Sequence, residues 1–180
     1  MLYTYTEAQE KYGSSYQIER EIKKGKLFKI ARGLYSLEAK ASPYAIISKV
    51  YPDAIITMDS AFYIHNLTDV IPNKIHLATR RNALRIRDKS IQQYFLEERF
   101  FEQGRTLIDH DRTTISIYSL ERMLVELMRS STSMPLDYYK EIISHYRNKI
   151  DEMDIYTIEE YMTLFERNDY MFDILQKEVL

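Results

Sequence analysis

The chain has 180 residues, 45% of them apolar and 29% charged, which suits one medium domain or a small module joined to a larger one and excludes a disordered polymer. It has no cysteine, so a disulfide framework and thiolate metal sites are excluded. No apolar run approaches the roughly 20 residues of a membrane span. The start, Met-Leu-Tyr-Thr-Tyr-Thr-Glu, lacks the basic and apolar stretches of a secretory signal. The expectation is a cytoplasmic protein with no membrane partner.

The net charge of −2 conceals a gradient. Residues 1–35 carry seven Lys and Arg against four Glu, residues 36–149 sixteen against fourteen acids, and residues 150–180 two against nine. A basic beginning in an overall acidic chain fits one localised DNA contact better than nonspecific coating of nucleic acid. The acidic end suits a protein partner.

In chain order, Thr6 to Gly13 reads as a short helix capped by Thr6. Ser14 or Ser15 caps the next helix, which Gly25 closes. Two short strands then turn at Ala31-Arg32-Gly33 within a hairpin over 27–37. Glu38 to Pro43 is small and polar, and we place a boundary there, giving a module over 1–40 and a domain over 41–180. In the domain, Tyr44–Val50 reads as a helix, Ala54–Thr57 as a buried strand, and Ser60 as the cap of a helix reaching His65. Lys74–Thr79 alternates as a strand does. Thr106–Ile108 and Thr114–Tyr118 read as strands paired around Asp109-His110-Asp111-Arg112. From Ser119 the chain turns helical, with an apolar stripe at Leu120, Met123, Leu124, Leu127 and Met128. Pro135 starts a helix carrying Tyr138, Ile142, Ile143 and Tyr146, and two further helices, near 157–166 and 169–179, end the chain. The fold class expected is α+β: a short N-terminal winged helix-turn-helix module, then an α+β domain with a small sheet and C-terminal helices.

Function is carried by residues 14–37. With Ile18 and Ile22 on the buried side of the helix, Tyr16, Gln17, Arg20, Lys23 and Lys24 lie on its other sides. Lys29 and Arg32 sit on the hairpin. An apolar-backed helix with a basic front, followed by a basic hairpin, is the layout of a recognition helix and wing: the cations neutralise phosphates, and a helix fits a major groove. A surface helix with solvated charges has the same composition.

Catalytic signatures are missing. There is no Gly-rich phosphate loop and no Gly-x-Ser-x-Gly elbow. His65, His76, His110 and His145 show no metal spacing, and neither a cofactor nor a metal is expected. Asp109-His110-Asp111 reads as a polar hairpin tip before it reads as a cation site. Glu121-Arg122 is either an acid–base pair or a helix-start glutamate beside an arginine that braces the sheet. Arg80, Arg81, Arg85 and Arg87 form a second basic stretch, solvated or facing an anionic partner.

Three groups of strings, in this order, resemble the AbiEi-type antitoxins of bacterial type IV toxin–antitoxin systems. They are Gly25-Lys26-Leu27-Phe28-Lys29-Ile30-Ala31-Arg32-Gly33-Leu34-Tyr35; Pro52-Asp53-Ala54-Ile55-Ile56 with Ser60 to Thr68; and Ile117-Tyr118-Ser119-Leu120-Glu121-Arg122-Met123-Leu124-Val125-Glu126. The resemblance implies a repressor of its own operon, binding operator DNA, whose C-terminal domain counteracts a nucleotidyltransferase-like toxin. It makes Arg80, Arg81, Arg85 and Arg87 the candidate antitoxin surface, since such a toxin presents or shares an anionic ligand. Two departures stand out: room for two helices rather than three before the wing, and Glu126 where an aspartate is expected. The alternatives are a protein–protein module without DNA binding and a metal-dependent nuclease acting through Asp109, Asp111 or Asp53.

Overall fold

A computed structural model describes residues 1–166 and 168–180. It divides into two compact units, residues 1–52 with Leu107–Ile115, and Asp53–Thr106 with Ser116–Leu180.

The first unit begins with β1 (Leu2–Thr4), α1 (Tyr5–Tyr12) and α2 (Ser15–Lys23), followed by β2 (Phe28–Ala31), β3 (Leu34–Ser36) and α3 (Pro43–Val50). The cap of α1 is Thr4, not Thr6. Glu7 stands three residues after Thr4, and the two cap reciprocally: Glu7 N donates to Thr4 Oγ1 and Thr4 N to Glu7 Oε2. Ser14 caps α2 through the Gln17 amide. That helix ends at Lys23, and Gly25 follows at φ +69°, letting Lys26 N reach back to Glu21 O. β3 lies centrally in an antiparallel sheet, order β1-β3-β2, with Tyr3 opposite Tyr35 and Lys29 opposite Tyr35. Tyr3, Ala8, Ile18, Leu27 and Tyr35 form the buried cluster, with Tyr12 and Ile22 packed against it. This small core joins one side of α2 to the sheet and leaves the helix front outside.

The second unit is α+β, with a small sheet and C-terminal helices. It contains β4 (Ile55–Ile56), α4 (Met58–Ile64), β5 (Ile75–Arg80), β6 (Ile91–Leu96) and α5 (Glu98–Phe101). Next come β7 (Arg105–His110) and β8 (Thr113–Tyr118), a hairpin whose tip, Leu107–Ile115, belongs to the first unit. α6 (Leu120–Ser130), α7 (Leu136–Lys149), α8 (Ile155–Thr163) and α9 (Asp169–Ile174) follow, and a wider helical turn, Leu175–Val179, closes the chain. The sheet order is β6-β5-β4-β8-β7. β4 runs antiparallel to β5 and parallel to β8, and β5 runs parallel to β6 from Ile75↔Ile91 to Arg80↔Leu96. Parallel neighbours require a crossover, and here residues 81–90 supply it without a helix. The second basic stretch therefore lies on a crossover loop.

Ser60 is not a cap. Thr57 holds that position, while Ser60 is fully buried, accepting from His76 N at 2.9 Å and donating to Lys74 O at 3.4 Å. Its side chain faces β5, where a free amide and a free carbonyl need partners. The core collects Phe62, Leu77, Ile117, Tyr118, Met123, Leu124, Leu127, Ile142, Tyr146, Ile158 and Met162. The stripe of α6 is buried as its spacing predicts, with Leu120 half-buried at its start. Among the described residues no helix is long and apolar enough to cross a membrane.

Candidate nucleic-acid interface

α2 presents its front because Ile18, 2% exposed, holds its back against the sheet. Tyr16, Gln17, Arg20, Lys23 and Lys24 are all exposed, as are Lys29 on β2 and Arg32 in the turn to β3. These side chains divide by their partners. Lys24 Nζ donates to Glu21 Oε1 at 2.9 Å, and Arg20 Nε lies 3.8 Å from the same oxygen. The Lys24 ammonium holds the Glu21 carboxyl below its usual range. Lys23, Lys26, Lys29 and Arg32 have no carboxylate within 4.0 Å among the described residues. Lys26, absent from the residues expected to bind DNA, belongs with this group, since the Gly25 turn leaves it exposed between helix and hairpin. An uncompensated exposed cation is the state from which a phosphate displaces only counterions.

The second basic stretch also divides. Arg80 Nε donates to both Glu98 oxygens at 3.0–3.1 Å, its NH2 lies 2.5 Å from Glu102 Oε1, and its guanidinium covers the Phe101 ring at 4.5 Å. Arg81 pairs with Glu97 at 3.1 Å. Arg85 and Arg87 are exposed and line an open cleft of ≈770 Å³ with Lys74, Lys89 and Asp88. Asp88 is occupied by Ser90, whose N and Oγ both donate to Oδ1. The net field of this cleft is positive.

Arg122 proves to be a brace, and its partner is Glu126 rather than Glu121. It is fully buried, with Nε and NH2 donating to Glu126 Oε1 at 3.1 and 2.6 Å. NH1 donates to the carbonyls of Phe100 and Gln103, and the guanidinium faces the Tyr118 and Phe165 rings at 4.9 and 5.4 Å. Arg129 holds the other Glu126 oxygen at 2.7 Å. On α6 a residue four positions ahead lies on the same face, which the adjacent Glu121 does not. Gly104, at φ +76°, lets the chain pass over this arginine: a Cβ there would stand 2.4 Å from Arg122 Cβ.

The hairpin tip carries a two-residue turn, Asp111-Arg112, at φ +49° and +61°. Asp109 accepts from Thr114 Oγ1 at 2.8 Å, and His110 Nε2 lies 3.6 Å from Asp111 Oδ2. Among the described residues no group of three or more His, Cys, Asp or Glu is placed to hold a metal ion. The polar-tip reading accounts for these residues.

Sequence spacing gave no hint of one further cluster. Asp59 on α4, His76 on β5, Tyr94 on β6 and Tyr138 on α7 line an open pocket of ≈480 Å³. Tyr94 Oη lies 3.0 Å from His76 Nδ1, His76 Nε2 lies 3.6 Å from Asp59 Oδ2, and Tyr138 Oη donates to Asp59 Oδ1 at 3.4 Å. The four residues span 80 positions of chain, so only the packed sheet and helices join them.

No protein-family model matches this chain, and none of the curated proteins matches it.

Proposed function

We propose that the protein is a DNA-binding transcriptional regulator that represses its own operon in the cytoplasm and serves there as the antitoxin to a nucleotidyltransferase-like toxin. The observation that carries the DNA-binding part is the group of exposed cations with no carboxylate within 4.0 Å among the described residues, Lys23, Lys26, Lys29 and Arg32, along α2 and the β2–β3 hairpin. A helix pair followed by a hairpin, with β3 between β1 and β2, supports a winged-helix reading of this unit. In this reading Lys23, Lys29 and Arg32 hold phosphates, while Gln17 and Arg20 reach base edges. Changing Lys23, Lys29 and Arg32 together to alanine abolishes the mobility shift on the protein's own promoter. Changing Arg20 and Lys24 costs less phosphate affinity, because both already share Glu21, but it relaxes sequence preference. An unchanged shift in the triple variant rejects the interface.

The antitoxin part rests on the family resemblance, and Arg85 and Arg87 are its best-supported residues. In cells expressing the toxin, Arg85→Ala with Arg87→Ala loses protection while the protein stays folded. Arg80→Ala with Arg81→Ala keeps protection, since Glu98, Glu102 and Glu97 already neutralise those two. The reverse result moves the surface to Arg80 and Arg81.

A further inference from the structure

The pocket bounded by Asp59, His76, Tyr94 and Tyr138 lies outside both basic surfaces, and its charge has the opposite sign. Neither Lys nor Arg is among the residues lining it. Burial pushes the His76 imidazole below its ordinary pKa against the pull of Asp59, and the Lys74 charge adds to the lowering, so the neutral form is favoured. Burial also pushes the Tyr94 phenol up to about 12 and raises Tyr138, so both stay protonated. One carboxylate remains, with two phenols and an imidazole arranged around it.

The rest of the wall is mostly apolar, Met58, Val70, Pro72, Met134 and Pro135, with Ser130 and Ser133 beside them. Met58, next to Asp59, is held at φ +45°, a backbone conformation that methionine adopts only when its surroundings enforce it. A few convergent polar groups in a mostly apolar hollow of this size describe a small-molecule site.

We propose that this pocket binds a small organic cation, its amidinium, guanidinium or ammonium head against the Asp59 carboxylate and its apolar body along Met58, Val70 and Met134. The Asp59 side chain is 37% exposed; Oδ1 accepts from Tyr138 and Oδ2 stands 3.6 Å from His76 Nε2, which leaves lone pairs open to a donor from the pocket mouth.

Three probes of one shape and different charge test this on the full chain: benzamidine, benzamide and benzoate, titrated by calorimetry and by the NMR signals of the Met58 and Met134 methyl groups. Benzamidine binds saturably and shifts both methyls, benzamide binds at least about tenfold more weakly, and benzoate does not bind. Asp59→Asn lowers benzamidine affinity by about ten- to a hundredfold. Val70→Lys, a change at a half-exposed rim position, places a competing ammonium at the mouth and blocks binding without disturbing the core. Equal binding of benzoate, retained affinity in either variant, or no saturation by benzamidine at roughly millimolar concentrations overturns the proposal. Should Asp59→Asn fail to fold, Val70→Lys decides alone.

Discussion

The cations of the first unit and those of the second meet opposite fates. Lys23, Lys26, Lys29 and Arg32 stand in solvent with no carboxylate within 4.0 Å among the described residues, whereas Arg122 is buried with four hydrogen bonds to Glu126, Phe100 and Gln103, and Arg80 is held by two glutamates. A small unit with one thin core cannot desolvate a charge, so its basic residues remain on the outside, available to an anionic partner. A larger unit can enclose an arginine, but only by supplying every guanidinium nitrogen with an acceptor. The same residue type is an exposed cation in one place and a brace in the other.

The comparison breaks most visibly at the brace. Arg122→Ala leaves Glu126 buried with Arg129 alone and two carbonyls without a donor, and it lowers unfolding free energy by about 3–5 kcal/mol in urea denaturation. Replacing both partners, Arg122→Met with Glu126→Leu, recovers part of that loss, because no buried carboxylate is then stranded, while the Phe100 and Gln103 carbonyls still lack their donor. Gly104→Ala comes next: its methyl enters the space of Arg122 Cβ on a positive-φ backbone, costing about 1–3 kcal/mol. The triple change of Lys23, Lys29 and Arg32 to alanine sharpens the other side. It shifts stability by less than about 0.5 kcal/mol, as expected for exposed charges without partners. Promoter binding nevertheless fails, and any residual affinity depends on salt with a slope smaller by about 2–3. A large loss of stability in that variant would place these cations with Arg122.

The smallest effect is a pH dependence. Burial lowers the pKa of His65, whose Nε2 donates to Tyr118 O at 2.7 Å, and that of His76. The unfolded chain takes up these protons near pH 6.5, before the folded one does, so stability falls as pH drops from that value toward the lowered folded values. His65→Gln reduces the slope of stability against pH in this window; an unchanged slope assigns it to other groups.

Several features of the fold were legible because their causes lie within a few residues. Ser14, Gly25 and the apolar period of Ile18 and Ile22 specify α2, and the stripe of Met123, Leu124, Leu127 and Met128 specifies the buried face of α6. The β7–β8 turn falls within the expected Asp109–Arg112 stretch but takes only Asp111-Arg112, Asp109 and His110 lying on β7. The start of α1 was misplaced by two residues because the reciprocal bond between Thr4 and Glu7 competes with a cap at Thr6 and wins. Ser60 has the composition of a cap, but β5, reached some fifteen residues later, offers it two backbone partners.

The sequence by itself determined which residues are basic, which helices have an apolar side, and where short turns fall, since these depend on neighbours along the chain. Only the tertiary structure decided which cations are free. Glu98 and Glu102 reach Arg80 across a parallel strand pair, and Phe100 and Gln103 reach Arg122 from before the β7–β8 hairpin. It also decided that Asp59, His76, Tyr94 and Tyr138 share a pocket. Charge compensation and pocket formation are set by distances through space, and over separations of this length the chain carries no periodic signal of them.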